Sequence, residues 1–155
     1  MICLTPENFS AWREAQQQQQ RRIVLTNGCF DILHIGHVRY LQAARQVGDV
    51  LLVGVNSDSS VRQLKGPSRP VNQDVDRAEL LSALRCVDAT LIFAEQTADA
   101  LIERVQPAVY VKAGDYTRDS LPETATLDRL GIEIVFMPFV SGYSTTNTLA
   151  RAQGQ

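Results

Sequence analysis

The stretch Ile23-Val24-Leu25-Thr26-Asn27-Gly28-Cys29-Phe30-Asp31-Ile32-Leu33-His34-Ile35-Gly36-His37 decides how this chain folds. Ile23 to Thr26 is a short apolar run that breaks at Asn27-Gly28, the mark of a buried strand ending in a turn. From Val38 the spacing changes. Val38, Leu41, Ala44 and Val47 recur at helical intervals, and Gly48-Asp49 closes the segment. An apolar strand, a polar turn and an amphipathic helix in that order predict the first unit of a parallel sheet.

The rest of the chain repeats the pattern. Val50–Val55 predicts a second buried strand and Ser57-Asp58 a helix cap. Asp74–Leu84 predicts a helix with Leu80, Leu81 and Leu84 facing inward. Ala89–Phe93, Val109–Val111 and Ile132–Met137 predict three more strands. Thr97–Val105 predicts a helix closed by Pro107, Leu127–Leu130 one that ends at Gly131, and Ser144 the cap of a last helix. Upstream, Thr5-Pro6-Glu7 reads as a helix start, and the glutamines from Gln16 to Gln20 as its solvated end. The expectation is an α/β protein with a five-stranded parallel sheet covered on both faces. It is a single domain over residues 1–155, with residues 1–21 as a helical extension. No internal repeat or linker divides it.

Bulk properties narrow the function. The 155 residues are 45% hydrophobic and 21% charged, with a net charge of −2. That balance suits a soluble globular domain and argues against general nucleic-acid binding, which needs a broad basic surface. No apolar run approaches the ~20 residues needed to cross a bilayer. Cys3, Cys29 and Cys86 are odd in number and widely spaced, which argues against a disulfide framework or a structural zinc site. The N-terminus lacks the pattern of a cleaved leader, so the cytoplasm is the expected location.

In sheets of this kind, ligands bind beyond the carboxyl ends of the strands. Gly28 allows a tight turn and a close backbone approach there. His34-Ile35-Gly36-His37 opens the following helix, where free N–H groups and the dipole attract phosphate. The two imidazoles, the only ones in the chain, can lie on one face, with Gly36 admitting an anion between them. The spacing leaves other readings open. The pair could be satisfied by local hydrogen bonds. A metal site could add Asp31 as third ligand, although no further His or Cys lies nearby. The G-x-G-x-x-G fingerprint of a dinucleotide site is absent.

Three further segments carry candidate chemistry. Lys65-Gly66-Pro67-Ser68-Arg69-Pro70 puts two cations on a punctuated loop. Lys112-Ala113-Gly114-Asp115 follows the fourth strand, with Asp115 suited equally to a hydroxyl or metal contact and to a turn. Ser144-Thr145-Thr146 offers hydroxyls and N–H groups at a helix start, a second phosphate cradle or simply a cap.

Thr26 to His37 resembles the signature of the cytidylyltransferase-like nucleotidyltransferase superfamily. More closely, residues 22–147 resemble the adenylyltransferase domain of heptose-1-phosphate adenylyltransferases. That domain is often fused behind a sugar kinase, and 155 residues leave no room for one, so a stand-alone version is expected. The resemblance implies a three-layer Rossmann-like nucleotidyltransferase fold. It also implies that ATP, with Mg²⁺, and D-glycero-β-D-manno-heptose 1-phosphate give ADP-heptose and pyrophosphate for surface-glycan precursors. His34, His37, Lys65 and Lys112 would be catalytic. Gly28, Cys29, Phe30, Asp31, Gly36, Ser144, Thr145 and Thr146 would line the nucleotide and its phosphates. Arg69, Arg77 and Asp115 would face the sugar phosphate, Arg77 having a solvent-facing alternative. No protein metal ligands and a homodimer are implied.

Two departures bear on the choice of substrate. Ala113 stands where the resemblance usually shows glycine. Phe139-Val140-Ser141-Gly142-Tyr143-Ser144 lacks the arginine typical of glycerol-phosphate cytidylyltransferases, which favours the heptose type. The alternatives are transfer of an adenylyl or cytidylyl group to another phosphorylated polyol, such as glycerol 3-phosphate, and a non-catalytic nucleotide-binding module.

Overall fold

The computed structural model describes residues 2–138 and 145–152. In chain order the elements are β1 (Cys3–Leu4), α1 (Pro6–Gln18), β2 (Ile23–Gly28), α2 (Ile35–Arg45), β3 (Val50–Asn56), α3 (Asp58–Lys65) and α4 (Asp74–Ser82). They continue with β4 (Ala89–Phe93), α5 (Asp99–Val105), β5 (Val109–Ala113), α6 (Thr124–Leu130), β6 (Glu133–Met137) and α7 (Thr145–Ala152). The strands form one parallel sheet in the order β1-β4-β3-β2-β5-β6. The chain leaves β2 outward through β3 and β4, then returns to β2's other side as β5. That reversal makes a crevice at the carboxyl end of β2.

The sheet has six strands where the sequence predicts five. The sixth is Cys3–Leu4, which pairs with Thr90 and Leu91. Two residues are too few to show a period, so the strand is set by its partner and not by its own pattern. Residues 1–21 are therefore more than a helical extension, because Leu4 and Phe9 also enter the core.

Two apolar layers cover the sheet. Leu25, Leu52, Leu91 and Tyr110 face Phe9 of α1, Leu101 and Ile102 of α5, and Leu127 of α6. Val24, Leu51, Val53, Val109 and Val111 face Leu41 and Ala44 of α2, and Ala78 and Leu81 of α4. Alternate residues of each strand thus go to opposite faces, and both faces are dry. Leu80 corrects one expectation. It is exposed, because Ala78, Leu81 and Arg77 hold the inward face of α4. Gln16 corrects another. It is buried, with its amide donating to the Trp12 carbonyl, while Gln17 to Gln20 are exposed. Among the described residues no helix is long and apolar enough to cross a membrane.

Gly54 in β3 lies where α5 and the end of β2 close in. A Cβ there would stand 2.4 Å from Leu101 Cδ2 and 3.2 Å from Asn27 Cβ. Gly54→Val is expected to destabilise the fold by about 1–3 kcal/mol through overpacking. A urea midpoint equal to that of the parent chain would contradict this.

Candidate active site

β2 ends in Asn27-Gly28, and the chain then turns into a loop that leads to α2. Phe30 in that loop has φ +46, a left-handed conformation unusual for a bulky residue. Such a residue costs roughly 1–3 kcal/mol and persists only where its surroundings over-determine it. The surroundings are visible. The Phe30 ring is buried and meets the His37 ring edge-on, at 5.2 Å between centroids. A Cβ on Gly28 would stand 3.0 Å from that ring, so glycine gives Phe30 its room.

The segment 69–77 clamps the loop from outside. Asp31 is buried, and Oδ1 accepts from the Val71 and Asn72 amides at 2.7 and 3.2 Å. Its Oδ2 accepts from Arg69 Nε at 2.5 Å. Asn72 Nδ2 donates back to the Asp31 carbonyl at 2.9 Å. Burial alone would raise the Asp31 pKa. The Arg69 hydrogen bond, the Asn72 and Val71 amides and the Arg69 charge outweigh it and hold the carboxyl below its usual value. Asp31 thus shapes the loop, with both its oxygens accepting from the 69–72 segment, and it also lines the cavity that opens over this loop.

Arg77 is only 1% exposed. It donates to the Asn72 carbonyl at 3.0 Å, the Cys29 carbonyl at 2.5 Å and Asp58 Oδ1 at 2.8 Å. The sequence left a substrate contact and a solvent-facing charge open for this residue. The structure gives neither, since the guanidinium is buried under the loop and tied to three elements.

α2 starts at His34, whose Nδ1 accepts from the His37 amide at 3.3 Å. The two imidazoles stack at 3.8 Å and 16°. Gly36 is buried in the first turn. His37 is held down to a pKa of about 4 by burial first, then by the neighbouring His34 and Lys65 charges, with the Ile32 backbone pulling the other way. His34 is also lowered by burial, against its own backbone. Both rings are therefore neutral at pH 7. His37 Nδ1 is buried and makes no hydrogen bond of good geometry among the described residues.

A cavity of about 530 Å³ opens over this loop at the switch point. Gly28, Cys29, Phe30 and His37 form one side, and Lys65, Lys112 and Thr145 join it from α3, β5 and α7. Cys29 is half-buried, and burial raises its thiol pKa, against the charges of Lys65, Arg77 and Arg69. Lys112 donates to Asn27 Oδ1 at 3.3 Å and to the Tyr110 hydroxyl at 3.4 Å. Burial lowers its pKa, and Glu123 and Cys29 raise it in part. Lys65 is exposed at the end of α3.

Other expected residues stand apart. Asp115 is exposed and does not line the cavity. It follows Gly114, whose φ of +115 marks a turn, which is the alternative the sequence offered. The left-handed position falls on Gly114 and not on Ala113, so the departure at Ala113 is harmless. Arg69 is half-buried against Asp31. Ser144 lies outside the described residues, as do Phe139 to Tyr143. Thr146 is placed only as part of α7.

Sequence reasoning missed Tyr40, Asn56, Gln96, Thr97 and Glu123 in the cavity wall. Asn56, Gln96 and Thr97 sit at or just beyond strand ends, so the rule that found Lys112 would have found them. Tyr40 and Glu123 carried no such signal.

The fold and the site define a Rossmann-like α/β protein with a polar cavity at the switch point of a parallel sheet. The chain belongs to the cytidylyltransferase-like family, whose sequence profile matches residues 25–151. It is 48% identical over 145 residues to the bifunctional protein HldE of Geobacter metallireducens, covering 92% of this chain and 30% of that protein. It is 50% identical over 133 residues to the bifunctional protein HldE of Aliarcobacter butzleri, covering 86% of this chain and 27% of that one. The chain thus spans under a third of the length of these relatives. A solved lipopolysaccharide core biosynthesis protein from Thermoplasma volcanium is 28% identical with a TM-score of 0.66, over 80% of this chain and 99% of that one. Pantothenate synthetase from Thermus thermophilus, 16% identical with a TM-score of 0.69 over 99% of this chain and 70% of that one, shares the fold.

The neutral histidines set a pH dependence. A folded pKa below the unfolded value of about 6.5 favours the fold above pH 6.5. That contribution is lost as pH falls through 6.5 toward about 4. An anion bound beside His37 would raise its pKa. NMR titration is expected to show His37 well below 6.5 in the free protein and shifted upward with ATP. An ordinary free-state value near 6.5 would refute the desolvation described here.

Proposed function

We propose that this chain is an adenylyltransferase, converting ATP and D-glycero-β-D-manno-heptose 1-phosphate to ADP-heptose and pyrophosphate. The observation that carries the reading is the convergence of His37, the 28–30 loop, Lys65 and Lys112 on one cavity at the sheet's switch point. The heptose assignment rests on the resemblance over residues 22–147. It is supported by the structural likeness to a lipopolysaccharide core biosynthesis protein.

The chemistry needs little from the protein besides position and charge. An oxygen of the sugar phosphate attacks the α-phosphorus, and the bond from the α-phosphorus to the bridging oxygen breaks. Pyrophosphate leaves with that electron pair. The attacking phosphate monoester is already anionic, so no general base is required. Holding the two anions in line and stabilising the charge that develops are the main tasks. His34 and His37 would contact the α- and β-phosphates, and Lys65 and Lys112 would offset charge on the same groups. The Phe30 N–H would lie near the α-phosphate. Thr145, with Ser144 and Thr146, would hold the departing pyrophosphate.

No three His, Cys, Asp or Glu side chains converge among the described residues. Mg²⁺ would enter with the triphosphate and would offset part of its charge. A homodimer is part of the same reading.

Pyrophosphate release with ATP or CTP and a panel of sugar and polyol phosphates tests the proposal. ATP with the heptose 1-phosphate is expected to be the best pair. His37→Ala is expected to lower kcat by roughly 10²–10³, the usual scale for one lost transition-state donor. Near-normal turnover in the folded variant would remove His37 from the chemistry. Nucleotide binding with no pyrophosphate release from any acceptor would make the chain a binding module.

A further inference from the structure

The cavity crosses the sheet edge from one helix layer to the other. Its α2 side carries His37 and the 28–30 loop. Its α5/α6 side carries Gln96, Thr97, Pro122 and Glu123. Glu123 lines the cavity although it is only 3% exposed. Its Oε1 accepts from the Ala98 amide at 3.1 Å, at the start of α5. Its Oε2 is buried with no hydrogen-bond partner among the described residues. Leaving a buried acceptor unpaired costs roughly 1–3 kcal/mol, more for a charged one, so a native orphan calls for a partner. No described cation forms an ion pair with it. The Lys112 ammonium, the closest in influence, donates to Asn27 and Tyr110 instead.

We propose that Glu123 Oε2 accepts a hydrogen bond from a hydroxyl of the acceptor sugar, making Glu123 a specificity-determining residue; this rests on the sugar-phosphate reading above. A carboxylate repels phosphate, so it does not belong to the triphosphate subsite. A hydroxyl supplies the missing donor without bringing charge. The surroundings agree. Gln96 and Thr97 contribute a neutral amide and a hydroxyl to the same wall, the composition that suits a polyol. They offer no flat aromatic face for a base, and Tyr116 lies on the Lys112 side, 5.5 Å from its ammonium. Glu123 therefore has two tasks, with Oε1 fixing the start of α5 and Oε2 reading the ligand.

Glu123→Gln separates the two. The amide keeps an oxygen for the Ala98 N–H and replaces the acceptor with a donor. The expected result is a KM for the sugar phosphate raised about tenfold or more, with the KM for ATP within about twofold and melting unchanged. A series of monodeoxy acceptors completes the test. For one of them the parent chain and Glu123→Gln are expected to have equal kcat/KM, because the recognised hydroxyl is gone. An unmoved acceptor KM would overturn the proposal and leave Glu123 as a helix cap. A shifted ATP KM with an unmoved acceptor KM would overturn it in favour of base recognition. If the variant fails to fold, the parent chain decides alone, and equal use of every deoxy acceptor would overturn the assignment. If the parent chain transfers to no sugar phosphate, the underlying reading has failed, and this one falls with it before any variant is made.

Discussion

The buried guanidinium of Arg77 is the constraint on which the site depends. Taking a cation out of water is expensive and is tolerated only when its donors are matched. Here they reach the Cys29 carbonyl, the Asn72 carbonyl and the Asp58 carboxylate, joining the phosphate loop, the segment before α4 and the start of α3. Asp31 fastens the same loop from the other end through Arg69 and two amides. Between these anchors Phe30 has little freedom, which is why its left-handed backbone survives. The Phe30 ring in turn packs against His37. The geometry of the histidine therefore follows from a network centred on Arg77, which is buried away from the cavity, and Asp31, which lines it.

That network explains the electrostatics of the free site. Imidazoles stacked at 3.8 Å cannot both carry charge without strong repulsion, and burial disfavours even one. The histidine side of the cavity consequently presents a neutral ring, with Lys65 and Lys112 also in the lining. Lys112 is itself partly desolvated, with two long hydrogen bonds and the Tyr110 and Tyr116 rings beside its ammonium. Under the proposed function, a triphosphate would make an imidazole more basic and give Lys112 a better acceptor.

The sheet was legible in the sequence because both its faces are dry. Runs such as Val50–Val55 are apolar throughout and need no partner to be recognised. β1 was not legible, since Cys3–Leu4 has no period and becomes a strand only beside Thr90 and Leu91. The phosphate loop was legible for a local reason, the order strand, glycine, histidines, helix. The burial of Arg77 and Asp31 was not legible, because charge in a sequence does not reveal burial. Arg77 is held by the Asp58 carboxylate and the Cys29 carbonyl, 19 and 48 positions away, and Asp31 by the Arg69 guanidinium 38 positions away, which no pattern in the chain exposes. Glu123 was invisible for the same reason, as its meaning lies in the oxygen that Ala98 leaves unused.

Lys65, Lys112 and Glu123 all line the cavity, and under the proposed function their charges bear on the direction in which an acceptor enters. A sugar 1-phosphate is itself asymmetric, with a dianion at one end and neutral hydroxyls at the other. With its phosphate toward the Lys65, Lys112 and His37 side, its hydroxyls fall toward Gln96, Thr97 and Glu123. In the reverse pose the phosphate would approach the Glu123 carboxylate. Two like unit charges about 4 Å apart near a protein surface repel by roughly 4 kcal/mol, before any lost hydrogen bond is considered. That penalty would make the reversed pose rare by about a thousandfold, since each 1.4 kcal/mol is a factor of ten. On this view the anionic wall orients the acceptor by repulsion, and the helix-end wall then has only to hold two phosphates already facing one another.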